Sequence, residues 1–273
     1  MATQAEKGAT FYALHRRDHA FLIPNPWDIG SARVLSNLGF EALATTSAGF
    51  AFTAGKPDGM MERVATLAHA ATIVSATDLP VSADLENGFG DTPEDAAETI
   101  RLAAATGLAG GSIEDSSRRA DHELYEIELA AERIRAAAEV VRGLPHRFTL
   151  TARAENYLVG RPDLDETIRR LQAYQQAGAD VLYAPGLTSK DDIGTVVRSL
   201  DRPVNVLGGM GAAPLSLVEL SQLGVKRVST GGWLARAAQG AFLRAARELR
   251  ERGTFDFTAQ ATNSREVNPL LGW

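Results

Sequence analysis

The 273-residue chain is 45% hydrophobic and 23% charged, ordinary composition for a globular protein with a large core. Its formal net charge of −6 argues against a nucleic-acid or membrane-surface partner, and the lack of cysteine excludes disulfides, zinc–thiolate centres and thiol nucleophiles. No apolar run approaches the roughly 18 residues of a membrane span, and MATQAEKGATFYALHRRDHA lacks a signal-peptide pattern, so a cytoplasmic location is expected.

In chain order, an extra N-terminal helix is expected around residues 4–17. Eight strands follow: FLIPNPW (21–27), EALATTS (41–47), PVSADLE (80–86), GGSIED (110–115), FTLTARAE (148–155), VLYAPG (181–186), PVNVLGG (203–209) and RVSTGG (227–232). Several times a helical pattern ends at a glycine just before a strand, as in SNLGFEALATTS and QQAGADVLYAPG, the punctuation of an α/β protein. The intervening TPEDAAETIRLAAATG has Thr92 as a cap, Pro93 in the first turn and Gly107 as terminator. Strands alternating with helices over this length predict one (β/α)8 TIM-type barrel across 1–273. A doubly wound open sheet is the alternative, weakened by the lack of a Gly-rich dinucleotide turn after the first strand. WLARAAQGAFLRAARELRERG predicts a long helix over 233–251, and the tail beyond it carries Leu270, Leu271 and Trp273. The 233–273 segment is therefore expected to dock its apolar residues, with a neighbouring subunit as one place to do so.

Barrel active sites form at the C-terminal ends of the strands. Polar residues collect there: Thr46, Ser47, Ala48 and Gly49 with Asp58 beyond, then Asp84 and Glu86, then Glu114 and Asp115. Arg153 and Glu155, Tyr183 and Asn205 continue the series. Asp84 and Glu86 are two apart, so on a strand they project from one face. Like charges about 4 Å apart repel by roughly 4 kcal/mol at an effective dielectric near 20, so a cation should offset them. Hard carboxylate oxygens without His or Cys point to Mg2+ or Mn2+ held with waters; pairing of Asp84, Glu86 and Glu114 with arginines, or helix capping, is the competing reading. Arg153 is a planar fork for a carboxylate or a counterion for Glu155 or Asp115. The Ser47 turn offers a hydroxyl and N–H groups to an anion, or is simply a βα turn.

These segments together resemble the isocitrate lyase/phosphoenolpyruvate mutase superfamily, in its smaller methylisocitrate lyase- and mutase-like branch. NPWDIGSARVLSNLGFEALATTSAG resembles its first βα unit, GKPDG its aspartate loop, SADLENGFGD its metal strand and GGSIED its next acidic strand. LTARAE, QQAGADVLYAPG, PVNVLGG and LGVKRVSTGG resemble the remaining strands in order. The resemblance implies a barrel whose final helix swaps between partners in a dimer of dimers, a homotetramer. It implies Mg2+ (or Mn2+) held largely through waters by Asp84, Glu86 and Glu114, with Asp58 nearby. It also implies that Arg153 and the turn at Thr46 or Ser47 grip the substrate's carboxylate and oxo or phospho group.

Two departures limit the transfer. Glu86 stands where many relatives carry aspartate, and the Lys-Lys-Cys-Gly-His loop of the lyases is replaced by EDSSRRADH (114–122). Without that cysteine the chain is not expected to be a true isocitrate or methylisocitrate lyase, and a Lys-Thr-Asn segment of phosphonate-forming mutases is also missing. The expected function is a Mg2+-dependent lyase or decarboxylase acting on a small 2-oxo or 2-hydroxy (di)carboxylic acid through an enolate. Arg153 would orient the substrate, and His122, Tyr157 or Tyr183 would supply the proton; His122 equally reads as a solvated loop residue. Phosphoenolpyruvate or carboxyphosphonoenolpyruvate mutase-like chemistry, and a non-catalytic keto-acid-binding barrel, are the alternatives.

Overall fold

Each predicted strand becomes one short stave. The computed structural model describes residues 2–119, 122–211 and 214–272, and the side chain of His122 lies outside that set. The strands are β1 (Phe21–Ile23), β2 (Leu43–Ala44), β3 (Val81–Asp84) and β4 (Gly110–Glu114), followed by β5 (Ser116–Arg119) and β6 (His122–Leu124). Then come β7 (Thr149–Arg153), β8 (Val181–Tyr183), β9 (Val204–Leu207) and β10 (Arg227–Ser229). β5 and β6 form a separate antiparallel hairpin; the other eight run parallel in the order β1-β10-β9-β8-β7-β4-β3-β2. The ends of that order meet where the Ala44 N–H donates to the Pro24 carbonyl at 3.1 Å, so the barrel is nearly closed.

Side-chain alternation divides polar from apolar. Outward residues Ile113, Leu150, Leu182, Val204, Val206 and Val228 pack with Ile100, Ile134, Leu171, Val196 and Leu220 of the surrounding helices in the main core. Inward positions two apart, Ser82 and Asp84, Asn205 and Leu207, Arg227 and Ser229, line a central cavity. The helix Gln4–Leu14 closes the other end, its Phe11 and Leu14 clustering with Phe21, Ile23, Ala42 and Ala109. At Gly110 a Cβ would come within 2.9 Å of the Phe11 ring, so the plug sits flush against β4.

Several boundaries differ from the sequence reading for local reasons. The strand expected over 80–86 ends at Asp84, and Glu86 turns into the left-handed region at φ 54°. The strand expected over 41–47 has two residues, because Thr46 caps a short helix, Ser47–Thr53, its hydroxyl accepting from Gly49 N–H at 3.3 Å. The final helix runs Trp233–Arg252 and stops at Gly253, φ 64°. Its tail forms a further helix, Ser264–Leu270, which returns to this chain's own helix Ile29–Asn37; Asn37 Nδ2 donates to the Leu270 carbonyl at 2.9 Å. Trp273 lies outside the described residues.

Candidate active site

The C-terminal ends of the strands open into a cavity of about 160 Å3 lined by Thr46, Ser47, Ala48, Asp58, Asp84, Arg153, Tyr183 and Asn205, all expected from sequence. Gly49, Glu86 and Glu114 stand just outside that lining. Arg153 organises the centre. Its Nη1 donates to Asp84 Oδ1 at 3.1 Å and approaches Glu114 Oε2 at 3.4 Å, while Nη2 reaches Glu155 Oε1 at 2.8 Å. A second guanidinium, Arg118 of the hairpin, pairs with Glu86 Oε2 and reaches Glu114 Oε1 at 3.3 Å. Arg118 holds φ 61°, a left-handed conformation that a non-glycine residue adopts only where its surroundings impose it.

Asp84, Glu86 and Glu114 thus each have an arginine partner, as in the competing reading. Among the described residues no three carboxylates converge on one point. Asp84 and Glu86 do not share a strand face; they are linked through Glu114, which both guanidiniums touch. Burial drives the Glu114 carboxyl well above the usual carboxylate range, and Glu155 and Asp84 add to that while Arg153 opposes it. The Ser47 N–H points to Asp84 Oδ2 at 3.5 Å. The Asp115 carboxylate is engaged by Arg170 at 3.1 Å, by the Tyr174 hydroxyl at 2.5 Å and by the Glu155 N–H at 2.8 Å, so it braces the cluster from behind and is not a counterion of the Arg153 guanidinium.

Other expectations resolve one by one. The Tyr183 ring lies 5.1 Å from the Arg153 guanidinium carbon, and burial pushes its pKa up to about 12, so the phenol stays protonated near neutrality. Tyr157 does not line the cavity. His122 pairs through its backbone with Arg119, and its side chain is outside the described residues. Arg119 of the same hairpin faces Asp91 at 3.2 Å on the surface, away from the cavity. Asn205 is held at both ends: Nδ2 donates to Ser229 Oγ at 3.0 Å and Oδ1 accepts from Arg227 Nε at 2.9 Å.

Sequence reasoning missed Asn25, Arg227, Ser229 and Arg236, all of which line the cavity. Asn25 reads as part of a strand, yet its Oδ1 accepts from Thr230 and Gly231 N–H at 2.9 and 2.8 Å and ties the first βα turn to the last. Beneath Arg227, His15 Nδ1 donates to the Phe11 carbonyl at 2.8 Å, leaving Nε2 as the acceptor 3.5 Å from Arg227 Nη1. Burial, then Arg227, pushes the His15 pKa down from 6.5 to about 3. A depressed histidine contributes stability above its unfolded value that is lost as pH falls toward the folded one. Between pH 6.5 and 3 this should cost up to about 1.4 kcal/mol per pH unit. His15→Gln is therefore expected to flatten the acid limb of stability in urea titrations, and an unchanged slope would reject the assignment.

Residues 11–250 match the family model described as phosphoenolpyruvate phosphomutase. An uncharacterized Mycobacterium tuberculosis protein is 36% identical over 224 residues, 81% of each chain. A Burkholderia cenocepacia J2315 crystal structure, described provisionally as a lyase/mutase, is 59% identical, with TM-score 0.96 over 99% of this chain and 97% of the other. Oxaloacetate acetylhydrolase, solved with its product oxalate, is 26% identical, with TM-score 0.87 over 100% of this chain and 96% of that one. 2-Methylisocitrate lyase and oxaloacetate decarboxylase stand among the further relatives.

Proposed function

Because the chain belongs to the phosphoenolpyruvate phosphomutase family, within the isocitrate lyase/phosphoenolpyruvate mutase superfamily, we propose that it is a Mg2+-dependent carbon–carbon lyase or decarboxylase acting on a small 2-oxo or 2-hydroxy dicarboxylic acid. The observation that carries this reading is the carboxylate cluster around Arg153 at the mouth of the cavity. Asp84, Glu86, Glu114 and Glu155 face only Arg118 and Arg153, an excess of two negative charges when all are ionised. The buried Glu86 Oε1 has no hydrogen-bond partner. An orphaned carboxylate oxygen in an over-acidic, all-oxygen set suits a hard divalent cation. Asp84, Glu86 and Glu114 would hold it, largely through waters, with Asp58 at the rim. When bound, such a cation lends Lewis-acid stabilisation of developing enolate charge, worth several kcal/mol.

The chain's own groups do the rest. Arg153 offers its planar fork to the substrate carboxylate, and the turn at Thr46 or Ser47 presents a hydroxyl and N–H groups to the same end. Tyr183, kept protonated by burial, can donate a hydrogen bond or proton beside Arg153. Arg118 must leave Glu86 and Glu114 for a cation to reach them. With no thiol acid, decarboxylation of an oxaloacetate-like acid or cleavage of a substituted malate fits better than isocitrate cleavage; the relative solved with oxalate turns over a substrate of this kind. Proton NMR of a 2-oxo and 2-hydroxy acid panel with Mg2+ tests the reading. Consumption of a C4 or C5 diacid supports it, whereas efficient glyoxylate release from isocitrate, or no turnover of any panel member, overturns it.

Assembly is the second part. Trp233, Phe242, Leu249 and Phe255, each more than 40% exposed, leave an apolar surface on the last helix and its extension. Of the segment 233–273 expected to form subunit contacts, the helix Trp233–Arg252 and its extension to Phe255 are accordingly assigned to them, with a dimer of dimers expected. Light scattering should find at least a dimer at micromolar concentration, and a monomer would refute it.

A further inference from the structure

TIM-barrel interiors are normally filled by layers of Val, Ile and Leu. Here the inward layer below the active site is polar, and it contains a charge. Arg227, 5% exposed, lines the cavity floor, yet among the described residues no carboxylate lies within 4.0 Å of its guanidinium. Its contacts are uncharged: Asn205 Oδ1 at 2.9 Å and His15 Nε2 at 3.5 Å. The histidine cannot share the positive charge, since its own pKa is near 3. A buried cation without a counter-ion carries an uncompensated desolvation penalty, which here lowers the Arg227 pKa to about 10. Arg153 cannot relieve it, being a second cation that faces the same cavity. The cavity floor thus presents an unpaired positive charge to something that is not part of the chain.

Building on the proposed function, we infer that Arg227 is the receptor for the substrate's second carboxylate, the one remote from the reacting 2-oxo or 2-hydroxy acid end, and so fixes specificity for C4–C5 dicarboxylates. The two guanidiniums divide the work. Arg153, among the carboxylates at the rim, takes the reacting end; Arg227, at the floor beside Asn205 and Ser229, takes the far end. The cavity of about 160 Å3 between them admits one short diacid and little else. The pinned Asn205 and His15 hold the guanidinium plane, so little ordering cost remains on binding.

Calorimetry with saturating Mg2+ tests this using two pairs, malate with its 4-methyl ester and 2-oxoglutarate with its 5-methyl ester, and oxalate as a ligand that lacks a far carboxylate. In the unmodified protein at least one diacid should bind at least tenfold more tightly than its monoester. Arg227→Met should abolish that preference while leaving oxalate affinity within about twofold, and Arg227→Lys should retain part of it. Equal binding of diacid and ester in both pairs by the unmodified protein overturns the assignment of Arg227 alone, whether or not the Met variant folds. So does an undiminished preference in Arg227→Met. Failure of the unmodified protein to bind oxalate and both diacids overturns the proposed function and this inference with it.

Discussion

Asp84→Asn should abolish Mg2+-dependent ligand binding and lower kcat/KM by about a thousandfold while the protein stays folded. The side chain is only partly buried, at 18% exposure, and asparagine has the same size, so packing is preserved. What is lost is the negative charge that draws the cation and balances Arg153 Nη1 at 3.1 Å. A Lewis acid worth several kcal/mol corresponds to about three decades at roughly 1.4 kcal/mol each. Titrating oxalate into both proteins, with Mg2+ and with EDTA, decides the matter. Equal binding under all four conditions would mean that Asp84 serves Arg153 alone and that the carboxylates form an ion-pair network without a metal.

Arg153→Met should be the most destabilising single change in the site. It strips the principal counter-charge from Glu114 and Glu155, whose carboxyls burial already pushes up, and from Asp84. Breaking a buried ion pair on one side typically costs about 3–5 kcal/mol. The pH dependence distinguishes this cause from lost packing. With the guanidinium gone, the folded-state carboxyl pKa values rise further above their unfolded values. Stability linked to such groups is fully present below the unfolded pKa of about 4.5 and lost as pH rises through the folded one. The deficit of the variant, measured by denaturant titration, should therefore be larger at pH 7.5 than at about pH 5. A deficit below about 1 kcal/mol, or one independent of pH, would contradict it.

The barrel and the rim of its site were legible because a parallel strand exposes its chemistry at one end. Asp84, Glu114, Arg153, Tyr183 and Asn205 each stand at or near such an end, and their polarity breaks an apolar run. What escaped was chemistry inside the strands or between them. Arg227 opens β10 in the run KRVS, where a charge reads as solvent-facing; only barrel closure turns it inward. The β5–β6 hairpin carries Ser-Ser-Arg-Arg, with none of the β-branched or aromatic residues that mark a strand, so Arg118 read as a loop residue. Glu86 was given a strand's alternation, but its left-handed backbone removes it from that rule. The metal question turns on the same residues, since spacing alone does not distinguish carboxylates that share a cation from carboxylates that share arginines.

The two-residue β2 has a consequence for motion. Between β1 and β2 the barrel is joined by the Ala44 amide donating to Pro24, whereas β4 and β7 pair along five residues. Local openings follow the weakest set of contacts, so the Ala44 amide should exchange its hydrogen with solvent faster than those of β4 or β7. The turn at Thr46 and Ser47 follows this seam directly, and the Asn25 bridge to Thr230 and Gly231 crosses beside it. A ligand seated on that turn joins the two edges from above. Occupancy of the site and closure of the barrel are then one equilibrium, and substrate should slow exchange at Ala44 more than anywhere else in the sheet.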